Sequence, residues 1–259
     1  MDLQPLPAFD DNYVWCLRDA GGRALIVDPG EAAPVLAALA GGPAPHAILL
    51  THHHSDHIGG VPELLEHWPG LPVIGPRDER IGFATRQVDD GDAIEIGRWR
   101  FTVFGIPGHT RSHIAFHGGS AAAPGLLFCG DTLFSLGCGR LFEGTPAQML
   151  ASLRALAALP GDTLVCCGHE YTVSNAAFAL VVDPGNPALR ERAIEARTLR
   201  AAGLPTLPVT LASERGCNPF LRSDDAAVRA GIETHIGRRL EGDIDAFAEL
   251  RGWKDGFRA

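Results

Sequence analysis

The sequence has almost no lysine: Lys254 is the only one, and the other 21 of the 22 basic residues are arginine. Acidic residues number 31, which gives a net charge of −9. Proteins that bind nucleic acids through the phosphates need a basic surface, so we expect no nucleic-acid partner. Hydrophobic residues make up 46% and charged residues 20% of the chain, a composition typical of a globular protein.

Long apolar segments are also missing. The first seventeen residues contain three aspartates and neither Lys nor Arg, which predicts no secretory signal. Residues 112–130 lack Asp, Glu, Lys and Arg, but His, Gly, Ser and Pro interrupt them far below the hydrophobicity of a membrane span. We therefore expect no membrane partner, and a cytoplasmic location.

None of the six cysteines belongs to a CxxC pair. Several lie in apolar runs, as Cys166 and Cys167 do after Leu164-Val165. Such cysteines are typical of buried, reduced thiols in a cytosolic protein rather than of a disulfide framework.

Short β-rich runs alternate with helical segments over the first two-thirds of the chain, the pattern of an α/β protein. The predicted strands are 24–27, 47–50, 73–74, 94–103, 126–129 and 164–167. After about residue 170, helix signals dominate: Asn186-Pro187 begins a helix that Gly203 ends, and Ser223 caps another. We predict a catalytic domain at 1–170 and a smaller, mainly helical domain at 171–259.

The strongest motif is Thr51-His52-His53-His54-Ser55-Asp56-His57, an HxHxDH array between a predicted strand and a predicted helix at 58–68. Imidazole and carboxylate ligands suit a borderline divalent cation. Because His52 and His54 alternate along the chain, they can point to one side while His53 and Ser55 point away. We expect His53 to pack or to orient a neighbour rather than to bind metal.

Three more candidate ligands stand where predicted strands end: His109, Asp131 and His169. The seven candidates divide over two metals, with His52, His54 and His109 on the first, Asp56, His57 and His169 on the second, and Asp131 able to bridge. Two cations about 3.5–4 Å apart lower the pKa of a shared water and make hydroxide near neutral pH.

The alternative to catalysis is a closed structural zinc site or a set of core histidines. A structural site needs four ligands, whereas this array is longer and contains no cysteine. The pattern therefore favours hydrolysis, with metal-bound hydroxide as the nucleophile and Asp56 and Asp131 as the catalytic carboxylates. Zinc is the expected metal, with iron and manganese as alternatives.

The chain resembles the metallo-β-lactamase superfamily in the HxHxDH array and in Asp28-Pro29-Gly30, Gly108-His109-Thr110, Gly130-Asp131-Thr132 and Gly168-His169. The resemblance implies an αβ/βα sandwich with a dinuclear metal site at its edge, but it leaves the substrate open. Within the superfamily, further segments are similar to those of the glyoxalase II family, the hydroxyacylglutathione hydrolases. These segments are 129–134, 137–145, 168–172, 218–222 and 251–255, and they extend over nearly the whole chain.

The glyoxalase II resemblance implies hydrolysis of S-D-lactoylglutathione to D-lactate and glutathione, the second step of methylglyoxal detoxification. By position it assigns the binding of glutathione to Arg140, Phe142, Tyr171, Arg251 and Lys254. Arg140 stands where Lys is frequent in the family, and Phe142 stands where Tyr is frequent, so a hydroxyl is lost there.

Several alternatives stay open at this point. Tyr171 can serve packing, Arg140 can be a solvated charge, and Arg251 with Lys254 can be a pair at a helix end. Asp28 can form a turn or accept a hydrogen bond from a ligand histidine.

The rival functions are a glutathione persulfide dioxygenase, another hydrolase of this fold such as a β-lactamase or nuclease, and a non-enzymatic metal-binding module. Nothing in the sequence encodes an oligomeric state, and we expect a monomer.

Overall fold

The structure is a computed structural model that describes residues 2–119 and 124–258, so residues 120–123 of the uncharged 112–130 segment lie outside it. The chain divides into two compact units, each made of separate stretches. Unit 1 comprises Met1–Ile106, Ser112–Gly130 and Cys166–His169, and unit 2 comprises Pro107–Arg111, Asp131–Val165 and Glu170–Ala259.

The first sheet of unit 1 begins antiparallel and continues parallel. Its strands are β1 (Asp2–Ala8), β2 (Asn12–Arg18), β3 (Ala24–Val27), β4 (Ala47–Leu49), β5 (Val73–Pro76) and β6 (Arg86–Val88), in that spatial order. From β3 to β6 the neighbours are parallel. Because parallel neighbours need crossover connections, helices follow β3 and β4: α1 (Ala33–Ala38), α2 (Ser55–Ile58) and α3 (Val61–His67).

The segment predicted as one helix at 58–68 is two helices in the structure. The first, α2, begins earlier, at Ser55, and Gly59-Gly60 separates it from α3. A Cβ at Gly60 would lie 2.5 Å from the backbone nitrogen of Ala32 and 2.8 Å from the Pro29 carbonyl oxygen. The bend therefore lets the chain pass close to the turn that follows β3.

The second sheet of unit 1 contains β7 (Ala93–Ile96), β8 (Trp99–Gly105), β9 (Ile114–Gly119) and β10 (Leu126–Gly130), and the end of β13 (Leu164–Cys167) continues it beside β10. The prediction of a single strand at 94–103 was wrong. Ile96 pairs with Trp99 across a two-residue turn in which Gly97 has φ +58°. A positive φ in such a turn is typical of a tight β-hairpin.

Aromatic side chains join the two sheets of unit 1. The ring of Trp15 on β2 lies 6.5 Å from that of Phe128 on β10, and Phe128 lies 5.9 Å from Phe101 on β8. The Trp15 indole donates a hydrogen bond to the Cys167 carbonyl over 2.9 Å, which satisfies its buried N–H. On the other face of the first sheet, apolar residues such as Ile48 form one cluster with side chains of α1 and α3. Unit 1 is thus a layered α/β structure, as predicted.

Unit 2 is mainly helical. Its helices are α4 (Pro146–Ala157), α5 (Thr172–Val182), α6 (Pro187–Ala201), α7 (Leu211–Cys217), α8 (Ala226–Ile236) and α9 (Asp243–Gly256). A short hairpin, β11 (Leu133–Phe134) with β12 (Gly137–Cys138), precedes them, and β14 (Val209–Thr210) pairs with Leu164 and Val165.

Helix caps in unit 2 follow from local sequence. Thr145 and Gln148 form a capping box before α4, and Asn186 accepts a hydrogen bond from the Leu189 amide at the start of α6. The predicted cap at Ser223 was wrong by two residues, because Asp225 accepts the hydrogen bond from Ala227 at the start of α8.

Two further expectations concern membranes and thiols. None of the helices within residues 2–119 and 124–258 is long and apolar enough to cross a membrane. All six cysteines are buried and free, as predicted.

Candidate active site

The HxHxDH array follows β4 and leads directly into α2. His54 is the N-cap residue of α2 and has extended backbone angles (φ −62°, ψ 143°). The His52 ring lies 4.7 Å from that of His54 and 4.2 Å from that of His57. His53 lies instead beside the buried carboxylate of Asp78, with Nδ1 3.6 Å from Oδ2. The extended loop thus turns neighbouring histidines to different surroundings.

Three of the predicted ligands converge within unit 1. Asp56, His57 and His169 each offer one ligand atom, and these atoms lie within 4.8 Å of one another. The Asp56 Oδ2 lies 3.6 Å from His57 Nε2 and 3.4 Å from His169 Nε2. One carboxylate oxygen and two imidazole nitrogens, with both histidines buried, are a donor set that fits a divalent cation of the zinc type. We call these three residues the Asp56 cluster.

Asp28 holds His57 in place. It accepts hydrogen bonds from the Thr51 amide (2.8 Å), the Thr51 hydroxyl (2.6 Å) and His57 Nδ1 (3.1 Å). Its own φ of +51° is left-handed, a conformation that Asp adopts more readily than most residues. Both interpretations of Asp28 therefore apply, since it forms the turn after β3 and also orients a predicted ligand.

Asp11 and Asn12 have roles that the sequence analysis missed. Asp11 accepts a hydrogen bond from His169 Nδ1 over 2.8 Å, and the Asn12 amide donates to Asp56 Oδ2 over 3.0 Å. Asp11 lies in the turn between β1 and β2, and Asn12 is the first residue of β2. The next residue, Tyr13, donates from its amide to the Gly168 carbonyl over 2.8 Å. His109 and Asp131 were selected because polar residues stand where a strand ends. Asp10-Asp11-Asn12 shows the same signal, which could have revealed these two residues.

The remaining two predicted ligands lie together in unit 2. His109 Nε2 is 3.4 Å from Asp131 Oδ2, and both residues are buried. His109 Nδ1 donates to the Arg140 carbonyl over 2.9 Å. Gly139 lies directly against Asp131: a Cβ there would overlap the Asp131 carbonyl oxygen and would lie 3.3 Å from His109 Nδ1.

Four imidazoles share one hydrogen-bonding pattern. Nδ1 of His57, His169 and His109 faces an oxygen that can only accept, and Nδ1 of His52 lies 3.0 Å from the Thr51 hydroxyl, whose proton goes to Asp28. The proton of each ring is therefore on Nδ1, and the lone pair is on Nε2. A hydrogen bond on the distal nitrogen is how metal-binding histidines are held in one tautomer.

Unit 2 contains a cleft of about 390 Å³. Its lining includes His109 and Asp131 together with the five residues that the family resemblance implies for glutathione binding, Arg140, Phe142, Tyr171, Arg251 and Lys254. Phe257 and Arg258, which the sequence analysis did not select, also line it. Cationic and aromatic side chains beside a buried carboxylate suit an anionic ligand with apolar parts.

The cations of the cleft differ in exposure. Arg251 is 5% exposed and donates to the Cys138 carbonyl over 2.8 Å and to Asp255 over 3.1 Å, with its guanidinium above the Phe220 ring. Arg140 is 62% exposed, and its Nε lies 3.6 Å from Asp255 Oδ1. Arg251 thus anchors the wall of the cleft, whereas Arg140 extends into solvent.

Lys254 is half-buried. Its ammonium lies 3.4 Å from the Ser174 carbonyl oxygen and 5.3 Å from the centre of the Phe178 ring. Burial lowers its pKa to about 8, and the charges of Arg251 and Arg140 act in the same direction. Burial and the neighbouring positive charges both disfavour the charged form of Lys254, and an anionic ligand would offset them.

The aromatic residues of the cleft include one packed and one open ring. Tyr171 meets Phe134 edge to face at 5.2 Å. Phe142 is 63% exposed and lies 5.2 Å from the His109 ring.

Cys138 also lines the cleft but is not set up as a nucleophile. Burial raises the pKa of its thiol to about 11, although the nearby Arg251 opposes this shift. The thiolate is the reactive form, so this shift disfavours Cys138 as a nucleophile.

Two family models match consecutive parts of the chain. The model described as the metallo-beta-lactamase superfamily matches residues 9–169, and the model described as the hydroxyacylglutathione hydrolase C-terminus matches residues 170–257. Proteins named hydroxyacylglutathione hydrolase are similar over the full length. One from Xylella fastidiosa (strain Temecula1) is 58% identical over 99% of this chain and 98% of its own, and one from Xanthomonas campestris pv. campestris (strain B100) is 58% identical over 100% of both.

Solved structures agree on the fold. The B3 metallo-beta-lactamase BLEG-1 has a TM-score of 0.63 at 25% identity and covers 85% of this chain and 98% of its own. ETHE1 from Myxococcus xanthus has the same TM-score at 23% identity, covering 100% and 92%. TTHA1623, solved in a di-iron-bound form, has a TM-score of 0.53 at 31% identity and covers 64% and 91%.

Proposed function

The chain belongs to the hydroxyacylglutathione hydrolase family of the metallo-β-lactamase superfamily, and from this membership we propose that it hydrolyses S-D-lactoylglutathione to D-lactate and glutathione. In the cell this reaction would be the second step of methylglyoxal detoxification. The family and the fold class predicted from the sequence are thereby confirmed, and the alternative of a glutathione persulfide dioxygenase is not favoured.

One observation supports the substrate more than any other. The cleft of unit 2 contains two predicted metal ligands, His109 and Asp131, together with the cations Arg140, Arg251 and Lys254. Glutathione carries two carboxylates, and its thioester must lie near the metals to react. A single cleft with both kinds of group meets these needs.

For the metals we propose the ligand sets predicted from the sequence: His52, His54 and His109 on the first, Asp56, His57 and His169 on the second, and Asp131 as a bridge. The donor chemistry of the Asp56 cluster supports this assignment. When bound, two divalent ions lower the pKa of a water molecule and polarise the thioester carbonyl. We propose zinc, with iron or manganese as alternatives that the same ligands accept.

The residues of the chain prepare this chemistry by fixing protons. Asp28 and Asp11 hold the protons of His57 and His169 on Nδ1, so that both Nε2 atoms face Asp56. Asp56 is anchored by the Asn12 amide and can orient the attacking water. The leaving thiol of glutathione ionises near pH 8.5, so little general-acid help is needed.

We also propose how the remaining features serve this activity. Residues 1–170 would form the catalytic domain and residues 171–259 the helical glutathione-binding domain, a division that the two family matches support. The net charge of −9 supports a small-molecule substrate without nucleic acid. The buried free cysteines support a cytoplasmic location. We propose that the protein acts as a monomer, away from membranes.

The test is a substrate panel with metal analysis. Purified protein is assayed with S-D-lactoylglutathione, lactoyl-coenzyme A and a cephalosporin, and oxygen uptake is followed with glutathione persulfide. We expect turnover of S-D-lactoylglutathione with a kcat/KM at least a hundredfold above that for lactoyl-coenzyme A, and two metal ions per chain. Equal turnover of both thioesters, or oxygen uptake with the persulfide, would contradict the proposal.

A further inference from the structure

The β11–β12 hairpin of unit 2 is too short to hold its own shape. Each strand has two residues, and isolated hairpins are marginal even when they are longer. Leu136, in the turn, has φ +60°, a left-handed conformation that is costly for a branched side chain. Such a conformation persists only where the surrounding structure fixes it.

The two arms of this hairpin continue into residues of the cleft. Asp131 precedes β11, and Arg140 follows β12. The Gly139 amide donates to the Thr132 carbonyl over 3.1 Å, so the arms stay together up to Asp131. The position of the turn therefore sets the direction in which Asp131 and Arg140 are presented.

A buried carboxylate holds the turn from outside the hairpin. Glu214 on α7 is fully buried and accepts hydrogen bonds from the Leu136 amide and the Ser135 hydroxyl, each over 2.8 Å. Burial raises the pKa of Glu214, and these hydrogen bonds oppose the shift. A buried carboxylate is expensive unless its oxygens are satisfied, and here the groups that satisfy it belong to the turn.

The asparagine of the Asn218-Pro219-Phe220-Leu221-Arg222 segment completes the anchor. Its amide donates to the Phe134 carbonyl (3.0 Å), the Gly137 carbonyl (2.9 Å) and Glu214 Oε2 (3.0 Å). Through these three hydrogen bonds, the fully buried Asn218 joins both strands of the hairpin to the Glu214 carboxylate.

The turn is also inserted into the helices of unit 2. The fully buried Leu136 side chain packs in a cluster with Ala176 of α5, Leu189 of α6 and Cys217 of α7. Asn175 donates from its amide to the Ser135 carbonyl over 3.1 Å. Helices remote in sequence therefore determine where the hairpin lies.

From these contacts we infer that Glu214 and Asn218 are positioning residues for thioester hydrolysis, which fix the β11–β12 hairpin so that Asp131 and Arg140 keep their places in the cleft. The inference rests on the proposed function and gives the Asn218 segment a role in it. Neither residue is proposed to touch the substrate or the metals, because both act through the hairpin.

The test compares two buried asparagines of unit 2. Asn186 resembles Asn218 in its bonds: its amide donates to the Asp183 carboxylate and the Gly216 carbonyl, and its oxygen accepts from the Leu189 amide, but none of these partners belongs to the hairpin. Asn218→Ala and Asn186→Ala are purified as full chains and studied well below their melting temperatures. For each, kcat, KM, zinc loss to a chelator and amide hydrogen exchange over residues 131–140 are measured.

Both variants are expected to melt at lower temperature than the wild type. Asn218→Ala should lower kcat at least tenfold, speed zinc loss at least tenfold and increase exchange in residues 131–140. Asn186→Ala should leave kcat and KM within twofold and exchange in this segment unchanged. Equal losses of kcat, scaled to the loss of stability, would overturn the inference.

Glu214→Gln covers the case in which Asn218→Ala does not fold, since it keeps the shape of the side chain and removes one acceptor. It should reproduce the increased exchange and the faster zinc loss, and unchanged exchange and zinc retention would overturn the inference. Both readouts need no substrate. If the wild type failed to hydrolyse S-D-lactoylglutathione, the proposed function would fall while the anchoring of the hairpin was still decided.

Discussion

The Asp56 cluster of unit 1 and the cleft of unit 2 hold their functional side chains in different ways. In the Asp56 cluster, short side chains come from α2 and from the segment just after β13, and carboxylates such as Asp28 fix the orientation of each buried imidazole. In the cleft, long side chains such as Arg140 and Lys254 extend from loops and from α9, and their exposure ranges widely.

This difference in how the side chains are held suits two different functions, metal binding and substrate binding. A metal requires ligand atoms at fixed distances, and rigid backbone with paired carboxylates provides them. A flexible tripeptide substrate needs charge and apolar area, and long side chains provide these with less accuracy. Substitutions in the Asp56 cluster should therefore change metal content and kcat, whereas substitutions of the long cationic and aromatic side chains of the cleft should change KM.

Asp56→Asn tests this separation with the largest expected effect. The variant keeps the shape but removes the negative charge that faces His57 and His169. We expect activity to fall at least a hundredfold and metal content to fall by about one ion per chain, measured by turnover and elemental analysis. Asp19→Asn is the matched control, because Asp19 pairs with His46 over 2.8 Å outside the cluster. Equal metal content in both variants would contradict the assignment of metal binding to the Asp56 cluster.

Asp28→Asn tests the Asp56 cluster while leaving every predicted metal ligand in place. Asparagine tolerates the left-handed backbone of Asp28, but one oxygen that accepts from Thr51 and His57 becomes an amide. Loss of such an orienting partner typically lowers metal affinity 10- to 100-fold. Chelator competition measures the affinity, and circular dichroism checks the fold. An affinity equal to that of the wild type would contradict the orienting role.

Lys254→Ala tests the cleft side of the comparison between the two regions. Removing this cation should raise KM for S-D-lactoylglutathione about tenfold, the loss of roughly 1.4 kcal/mol of binding, with bound metal unchanged. Steady-state kinetics and metal analysis provide both values. Arg200→Ala, which removes an exposed cation on α6, serves as the control. A loss of metal in Lys254→Ala would show that the two regions are not separate.

The pH dependence of KM gives a smaller effect. Because the pKa of Lys254 is lowered to about 8, its positive charge is present below that pH and is lost as the pH rises through it. The affinity for an anionic substrate should fall in the same range, and KM should rise severalfold between about pH 7 and pH 9. In Lys254→Arg, whose side chain stays charged, this rise should disappear, and its persistence would assign it to another group.

Phe142→Tyr is expected to have the smallest effect. The ring is exposed, so an added hydroxyl reaches solvent or substrate without repacking the interior. One hydrogen bond to the substrate should lower KM two- to fivefold, in line with about 0.5–1 kcal/mol, and leave the melting temperature unchanged. A higher KM would indicate that the bare ring serves packing against the ligand.

The sequence predicted the parts of the site that are encoded locally. The HxHxDH array places four candidate ligands within six residues, so its spacing alone reveals them. Asp11 was missed because its partner His169 is 158 residues away, and no spacing rule connects the two. Glu214 was missed for a similar reason: its burial results from helices that assemble around the hairpin.

The strand predicted at 94–103 and the helix predicted at 58–68 were wrong for reasons that hydrophobic periodicity does not report. A run such as 94–103 alternates like one strand, and only the positive φ of Gly97 makes it a hairpin. The helix predicted at 58–68 is divided because Gly59-Gly60 passes close to the turn after β3. At 58–68 the deciding contact lies outside the segment, whereas at 94–103 it is the backbone conformation of a glycine inside the run, and hydrophobic periodicity reports neither.

Cys138 has a consequence for the lifetime of such an enzyme. A thioester can pass its acyl group to any nearby thiolate, and a cleft that binds thioesters would then inactivate itself. Burial raises the pKa of the Cys138 thiol to about 11, so far less of it is thiolate at neutral pH than of an ordinary thiol. We therefore expect the Cys138 thiol to compete poorly with water for the acyl group and to remain unmodified during turnover.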